Sequence, residues 1–337
     1  MKLSKNTIKE LSLVSSQIKR ELTNIKIIKE IYDYIFKIDG KKTRALLSLL
    51  ASNNKNSTKK SRINLATIIE LLHTATLIHD DVVDDSYSRR GKKSVNYLWT
   101  NGHSVLMGDF IYSKAFKLMV NLDNNSILKE LSSATNDIAK GELVQLDSFG
   151  QLKITESELK KINYLKTGRL FEAASKTGAI LGACTMNEVK TFASIGKNIG
   201  IAFQIKDDLL DYECNNTKIG KPKLKDFKEG KITLPLFYAL QSNAGKKNFL
   251  LSKLGKKISK KDEKEVSKYI LSGESLLVTK KTMHGYINLA AKNIARLKKH
   301  PSYDEMLELL EFIQGREKWI SINHLVILKL SLIHISE

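Results

Sequence analysis

Two clusters of carboxylates in this sequence have the spacing needed to hold a divalent cation. HDDVVDD occupies residues 79 to 85 and KDDLLDY residues 206 to 212, each with two adjacent aspartates, two apolar residues and a third aspartate. On a helix, positions i and i+4 share a face. Asp80 therefore looks the same way as Asp84, and Asp207 the same way as Asp211, while Asp81 and Asp208 lie about a hundred degrees round. Like charges packed into one turn repel unless a cation sits among them. All-oxygen ligation suits a hard ion, Mg²⁺ or Mn²⁺, and Mg²⁺ keeps several waters and recruits substrate phosphate oxygens. A single acidic triplet is ordinarily a solvated helix face. A second copy changes that reading, because each interrupts an otherwise apolar run, TATLI before the first and GIAFQI before the second.

Basic residues gather beside both triplets. Arg89, Arg90, Gly91 and Lys92 follow the first, and GKPKLKDFKEGK, from Gly220 to Lys231, follows the second. Lys41 and Arg44 stand upstream in DGKKTR, and Lys166 lies mid-chain in YLKTGR. Metal-binding carboxylates ringed by Lys and Arg make a polyanion site, and diphosphate is the compact choice.

The elements that must position these groups read as helices. No proline occurs before Pro222, and apolar residues recur at three and four, as in Ile68, Leu71, Leu72, Ala75 and Ile78. Period-two alternation is scarce, so the fold is expected to be all-α. Gly, Asn and Pro clusters predict loops at residues 53–60, 89–96, 121–125 and 215–230. With 337 residues and no composition break, one helical domain over residues 1–318 is expected. The formal charge of +20, from 56 Lys and Arg against 36 Asp and Glu, invites nucleic acid or an anionic membrane. The lysines, however, are dispersed along nearly every segment, whereas a nucleic-acid surface would cluster them on one face with aromatics between. Cys184 and Cys214 lack the close spacing of a zinc or redox motif, which fits a reduced, cytoplasmic chain. The first residues carry no apolar signal-peptide region, and nowhere do eighteen apolar residues run without a charge.

Several stretches together resemble the trans polyprenyl diphosphate synthases, most nearly their octaprenyl-forming bacterial branch. The resemblance spans about residues 5–318 and is carried by DGKKTR, IIELLHTATLIHDDVVDDSYSRRGKKSVN, SVLMGDFIYSKAF, GELVQL, KTGRLFEAA, FQIKDDLLDY and GKPKLKDFKEGKITLPL. It implies an isoprenoid-synthase helical bundle, a homodimer, in which the two triplets face each other across a central cavity and hold three Mg²⁺ ions on an allylic diphosphate. Asp80, Asp81, Asp84, Asp207, Asp208 and Asp211 would then be metal ligands, some through water. Arg89, Lys166, Lys221 and Lys231 match contacts to the allylic diphosphate. Lys41, Arg44, His73 and Arg90 match the isopentenyl diphosphate site, and Thr167 and Gln204 match polar residues near the reacting carbons. His73 precedes Asp80 by about 10 Å of helical rise on the same face; His79 receives no role.

The reaction so implied is ionisation of the allylic C–O bond, attack by the double bond of isopentenyl diphosphate, and loss of a proton to the released diphosphate. Ala75 and Thr76, one turn before Asp80, are too small to floor the pocket early, which points to a long-chain product. Octaprenyl diphosphate, for a ubiquinone or menaquinone side chain, is expected, with heptaprenyl and nonaprenyl as alternatives and a dedicated farnesyl or geranylgeranyl synthase disfavoured. The lower floor is sought among Phe116, Met119 and Val120. A class I terpene cyclase would want Ser or Thr and then Glu where Asp211 and Asn215 stand. DGKKTRA departs from the family's GGKR-x-RP at Asp39, Thr43 and Ala45, which would weaken isopentenyl diphosphate binding. Residues 319–337 have no family counterpart; LSLIHISE at the end reads as translated sequencing adapter, against the alternative of a short amphipathic end. A basic surface would also favour peripheral contact with an anionic membrane where the product leaves.

Overall fold

The computed structural model describes residues 1–20, 25–37, 40–89, 91–212, 224–242 and 244–315, which are helical apart from one small hairpin and the connecting turns. Arg90, Lys221 and the tail beyond residue 315 lie outside the described residues. The chain opens with α1 (Lys5–Arg20), α2 (Lys26–Phe36) and α3 (Thr43–Ala51) and enters the long α4 (Lys59–Val83), whose C-terminal end carries the first aspartate motif. An antiparallel hairpin, β1 (Ser88–Arg89) with β2 (Lys92–Lys93), and the short α5 (Val95–Leu98) lead to α6 (Asn101–Asn121) and α7 (Asn125–Asp147). Then α8 (Glu156–Asn163) runs through a π-helical turn, Tyr164–Gly168, into α9 (Arg169–Leu181), and α10 (Met186–Tyr212) ends on the second motif. The remainder comprises α11 (Lys225–Lys228), α12 (Leu234–Ser242), α13 (Ala244–Lys253), α14 (Lys260–Ile270), α15 (Gly273–Ile294) and α16 (Tyr303–Gln314).

Local sequence explains where the site-bearing helices begin. Thr58 accepts the Ser61 N–H at 3.2 Å to start α4, and Asn124 accepts the Ile127 N–H at 3.0 Å to start α7. Thr185 and Glu188 satisfy each other's backbone N–H at 3.3 and 2.8 Å, a capping box that opens α10. Caps of this kind stabilise a helix by about 1 kcal/mol each.

The bundle packs α4 against α6, α10 against α9 and α15, and α3 across α9. The apolar stripe of α4, with Ile68, Leu71, Leu72, Ala75 and Ile78, is buried in a core shared with α6 and α7. A second core joins Phe171, Phe192, Ile199 and Leu209 to Met283 and Ile287. Of the residues considered for the pocket floor, Met119 is buried and Phe116 half-buried, but Val120 is 64% exposed on the outer side of α6 and does not line the interior of this chain.

Two backbone features set up the site. A Cβ on Gly200 would stand 2.6 Å from Gly168 Cα, so the missing side chain lets α10 lie directly against the π-helical turn. Within the span expected to be loop, residues 225–228 instead form a helical turn, entered through Leu224 at φ 55° and ψ 38°. The left-handed conformation costs a non-glycine residue about 1–2 kcal/mol. Leu224 tolerates it because its side chain is fully buried, which contributes about 1.5–3 kcal/mol in the other direction.

Candidate active site

The first motif separates its aspartates by role. Asp81 is 4% exposed, and both its carboxylate oxygens accept from Arg89 Nε, at 2.9 and 2.8 Å. Its partner sits on the β1 strand, so the hairpin is fastened to the end of α4. Asp84 accepts from Lys231 Nζ at 2.9 Å and from Lys225 Nζ at 3.3 Å. Burial pushes the Asp84 carboxyl up, but Lys231 above all, with Lys225 and Lys166, outweighs it and holds the group below the usual range. Asp80 goes the other way. Burial, and next the negative charge of Glu142, push its pKa up to about 7 against the opposing pull of Lys166 and Arg89.

The second motif is divided likewise. Asp208 is turned into the protein, accepting from Gln204 Nε2 at 2.8 Å and from Asn163 Nδ2 at 3.5 Å. Burial raises its pKa well above the carboxylate range, reinforced by Asp226. Asp211 accepts the backbone N–H of Lys225 and of Asp226, both at 3.1 Å, one on each oxygen, while its carbonyl accepts the Leu224 N–H at 3.2 Å. Asp211 thus caps α11. Asp207 is half-buried one helical turn earlier.

Residue 225 joins the two motifs: its backbone is held by Asp211 and its ammonium by Asp84, although 123 positions separate Asp84 from Asp207 in sequence. Lys231 is 6% exposed and also pairs with Glu229 at 2.8 Å. Burial would lower its pKa, but Asp84 and Asp226 more than offset that, so the ammonium stays charged. Lys166 projects from the π-helical turn to Glu142 Oε2 at 2.7 Å and to Gln145 Oε1. Single π-helical turns are frequent at functional sites because the extra residue re-aims the side chains around it. Thr167, next in that turn, donates to Gln204 Oε1 at 2.5 Å, and Gln204 in turn donates to Asp208.

The upstream basic residues lie on α3 and the turn before it. Arg44 is buried over the Phe171 ring at 4.4 Å, and its Nη1 donates to His73 Nε2 at 2.9 Å. Arginine has no acceptor, so this bond places the imidazole proton on Nδ1. His73 lines a cavity of about 320 Å³ together with Lys42, Asp81, Arg89 and Lys93. Lys41 lies 4.7 Å above the Phe312 ring of α16. His79 bonds outside this space, to the Val105 carbonyl at 3.2 Å, and sits against Gly108, where no Cβ could be accommodated.

Among the described residues no three His, Cys, Asp or Glu side chains stand close enough to enclose a metal by themselves. The donor set nevertheless fits Mg²⁺, which typically takes one or two carboxylates and completes its shell with water and substrate phosphate. Asp80, with its pKa raised toward neutrality, is a carboxylate short of positive charge, as a cation site prepared for its ion would be.

Sequence reasoning passed over three groups here. Glu142 and Gln145 lie in GELVQL, whose polar pair at i and i+3 marks one helix face. Lys225 is one of five lysines in Gly220 to Lys231, and nothing in the spacing distinguishes it from its neighbours.

Comparison with known proteins agrees with this geometry. Residues 25–271 match the Polyprenyl synthetase family model. The chain is 40% identical over 240 residues to octaprenyl diphosphate synthase of Escherichia coli (strain K12), covering 71% of this chain and 74% of that protein. It is 41% identical over 232 residues to the all-trans-nonaprenyl-diphosphate synthase (geranyl-diphosphate specific) of Rhodobacter capsulatus, covering 68% and 70%. Its fold superposes with a TM-score of 0.87 and 31% identity on the polyprenyl synthase from Caulobacter crescentus CB15 complexed with calcium and isoprenyl diphosphate, over 93% of this chain and 96% of that one. With both aspartate motifs brought to one place, and with these matches in sequence and fold, the chain belongs to the polyprenyl synthetase family.

Proposed function

We propose that this chain is a Mg²⁺-dependent trans-polyprenyl diphosphate synthase that adds isopentenyl diphosphate to an allylic diphosphate, farnesyl diphosphate, and releases octaprenyl diphosphate for a quinone side chain. Family membership and the likeness to octaprenyl and nonaprenyl synthases support the long-chain class. The observation that carries the reading is the meeting of the two aspartate motifs through residue 225, with Lys231 and Lys166 beside them.

In this reading Asp80, Asp84 and Asp207 hold the ions directly. Asp81, Asp208 and Asp211 act through water or by fixing Arg89, Gln204 and the α11 turn. When bound, the ions, three in number, supply Lewis-acid charge that favours departure of the diphosphate. Arg89, Lys166, Lys221 and Lys231 stabilise that leaving group as the C–O bond breaks and its electron pair stays on oxygen. The double bond of isopentenyl diphosphate, held by Lys41, Arg44, His73 and Arg90, then forms the new C–C bond, and the proton lost goes to the released diphosphate. Thr167 and Gln204, oriented by Asp208, line the reacting carbons.

Exposed Val105 and Leu106 on α6 and Leu143 and Val144 on α7 support a homodimer that covers both helices. Cys184 is a free thiol, which suits a reducing cytoplasm, and the dispersed lysines suit peripheral contact with an anionic membrane as the product leaves. The test is incubation with farnesyl diphosphate, labelled isopentenyl diphosphate and Mg²⁺, followed by sizing of the dephosphorylated product. An octaprenyl product from a protein that sediments as a dimer is expected. No elongation would overturn the reading, and a farnesyl or geranylgeranyl product would overturn its chain length alone.

A further inference from the structure

Lys225 stands where the two motifs meet, and the reaction as described does not use its side chain. Its ammonium lies 2.7 Å from Ser86 Oγ, 3.3 Å from Asp84 Oδ2 and 3.5 Å from Glu229 Oε1. Lys231 shares the same two carboxylates, at 2.9 Å from Asp84 and 2.8 Å from Glu229. Two ammonium groups thus face two carboxylates in a closed square that balances in charge.

The backbone behind Lys225 is fixed while its side chain is not. Leu224, Lys225 and Asp226 all donate their N–H groups to Asp211, and the buried Leu224 side chain anchors the turn. The lysine stem beyond that anchor has four rotatable bonds and is about a quarter exposed, at 28%.

A divalent cation bound to Asp84 would upset the square. One carboxylate cannot keep two ammonium groups and a dication within contact, because like charges so close repel strongly. Lys231 would keep Glu229 at 2.8 Å and the nearby charge of Asp226, whereas Lys225 would keep only the longer Glu229 contact at 3.5 Å, so its ammonium is the one released beside the place where a diphosphate enters.

We propose that Lys225 is a diphosphate-binding residue of this chain, held on Asp84 and Ser86 in the free protein and transferred to the diphosphate when a divalent cation takes the Asp84 carboxylate. The proposal rests on the reading of the two motifs as a metal–diphosphate site.

Calorimetric titration of the full chain with inorganic pyrophosphate in saturating Mg²⁺, and with Mg²⁺ alone, tests it on the wild type, Lys225→Met and Lys225→Arg. A lost charge-assisted contact should weaken pyrophosphate binding about tenfold or more in Lys225→Met, with Lys225→Arg recovering most of it. Binding of Mg²⁺ alone should be unchanged or tighter in Lys225→Met, since a competing ammonium has gone. Equal pyrophosphate affinity in Lys225→Met and wild type would overturn the proposal. So would a parallel loss of Mg²⁺ and pyrophosphate binding with a lowered melting temperature, which would make Lys225 a structural clasp. Failure of the wild type itself to bind pyrophosphate with Mg²⁺ would instead overturn the underlying reading of the site.

Discussion

Asp80 is the residue whose environment says most about the site. Its carboxyl is pushed up to about 7 by burial first and by Glu142 second. An unfolded chain would lose that proton near the ordinary aspartate value of about 3.9. Between about pH 4 and 7 the folded, metal-free protein therefore binds at Asp80 a proton that the unfolded chain does not, so the contribution of Asp80 to stability falls as pH rises through that window and levels off above it, while buried Asp208 adds a slope of the same sign. Urea unfolding of the metal-free protein across this range should show the slope, and Asp80→Asn should flatten it. Glu142→Gln should move its upper end to lower pH, because removing an anion favours ionised Asp80; an unmoved endpoint would mean that the Glu142 charge does not reach Asp80. The aspartates and most of their basic companions were legible from residue type and spacing. Glu142 and Lys225 were not, because each acquires its partner only when α7, or the turn after α10, is folded against α4.

At the scale of elements, the site depends on how closely α10 approaches the π-helical turn. Gly200 and Gly168 make that approach, and Thr167 then reaches Gln204 at 2.5 Å. Arg169, immediately after the turn, is clamped to α7 through Glu130 at 2.7 Å and Asp137 at 2.9 Å, so the turn is held from both sides. Gly200→Ala would force a methyl to within 2.6 Å of Gly168 Cα. We expect it to destabilise the protein by about 1–3 kcal/mol, as overpacking does. It should lower kcat more than it raises KM, since the displaced turn carries Lys166 and Thr167, which the proposed mechanism sets against the departing diphosphate and the reacting carbons. Chemical unfolding and steady-state kinetics check both, and a variant with normal stability and kcat would contradict the packing argument. Apolar spacing foretold the helices, and capping residues explain their starts. The π-helical turn left no sequence signal, because YLKTG differs in no composition from an ordinary helical turn. The helical turn at 225–228 was masked by the Gly, Asn and Pro around it, since its entry needs a left-handed leucine that only core burial makes tolerable.

For the whole molecule, the absence of proline from the first 221 residues and the recurrent helical stripe made the all-α class readable. That the ends of α4 and α10 meet could not be read from periodicity, which says which face of a helix is buried and not against what; it came from resemblance. The net charge of +20 likewise resolves only in three dimensions. Arg89, Lys166, Lys225 and Lys231 are engaged with carboxylates around the site, whereas Lys256 and Lys257 stand exposed after α13 and Lys260 and Lys261 at the start of α14. Central to the proposed function is a cation–diphosphate cluster held by the two aspartate motifs together. Anomalous diffraction from crystals grown with Mn²⁺ and inorganic pyrophosphate tests it most directly. Manganese peaks beside Asp80 and Asp84 and beside Asp207, with pyrophosphate between them, are predicted. Pyrophosphate bound elsewhere, or manganese at neither motif, would contradict it.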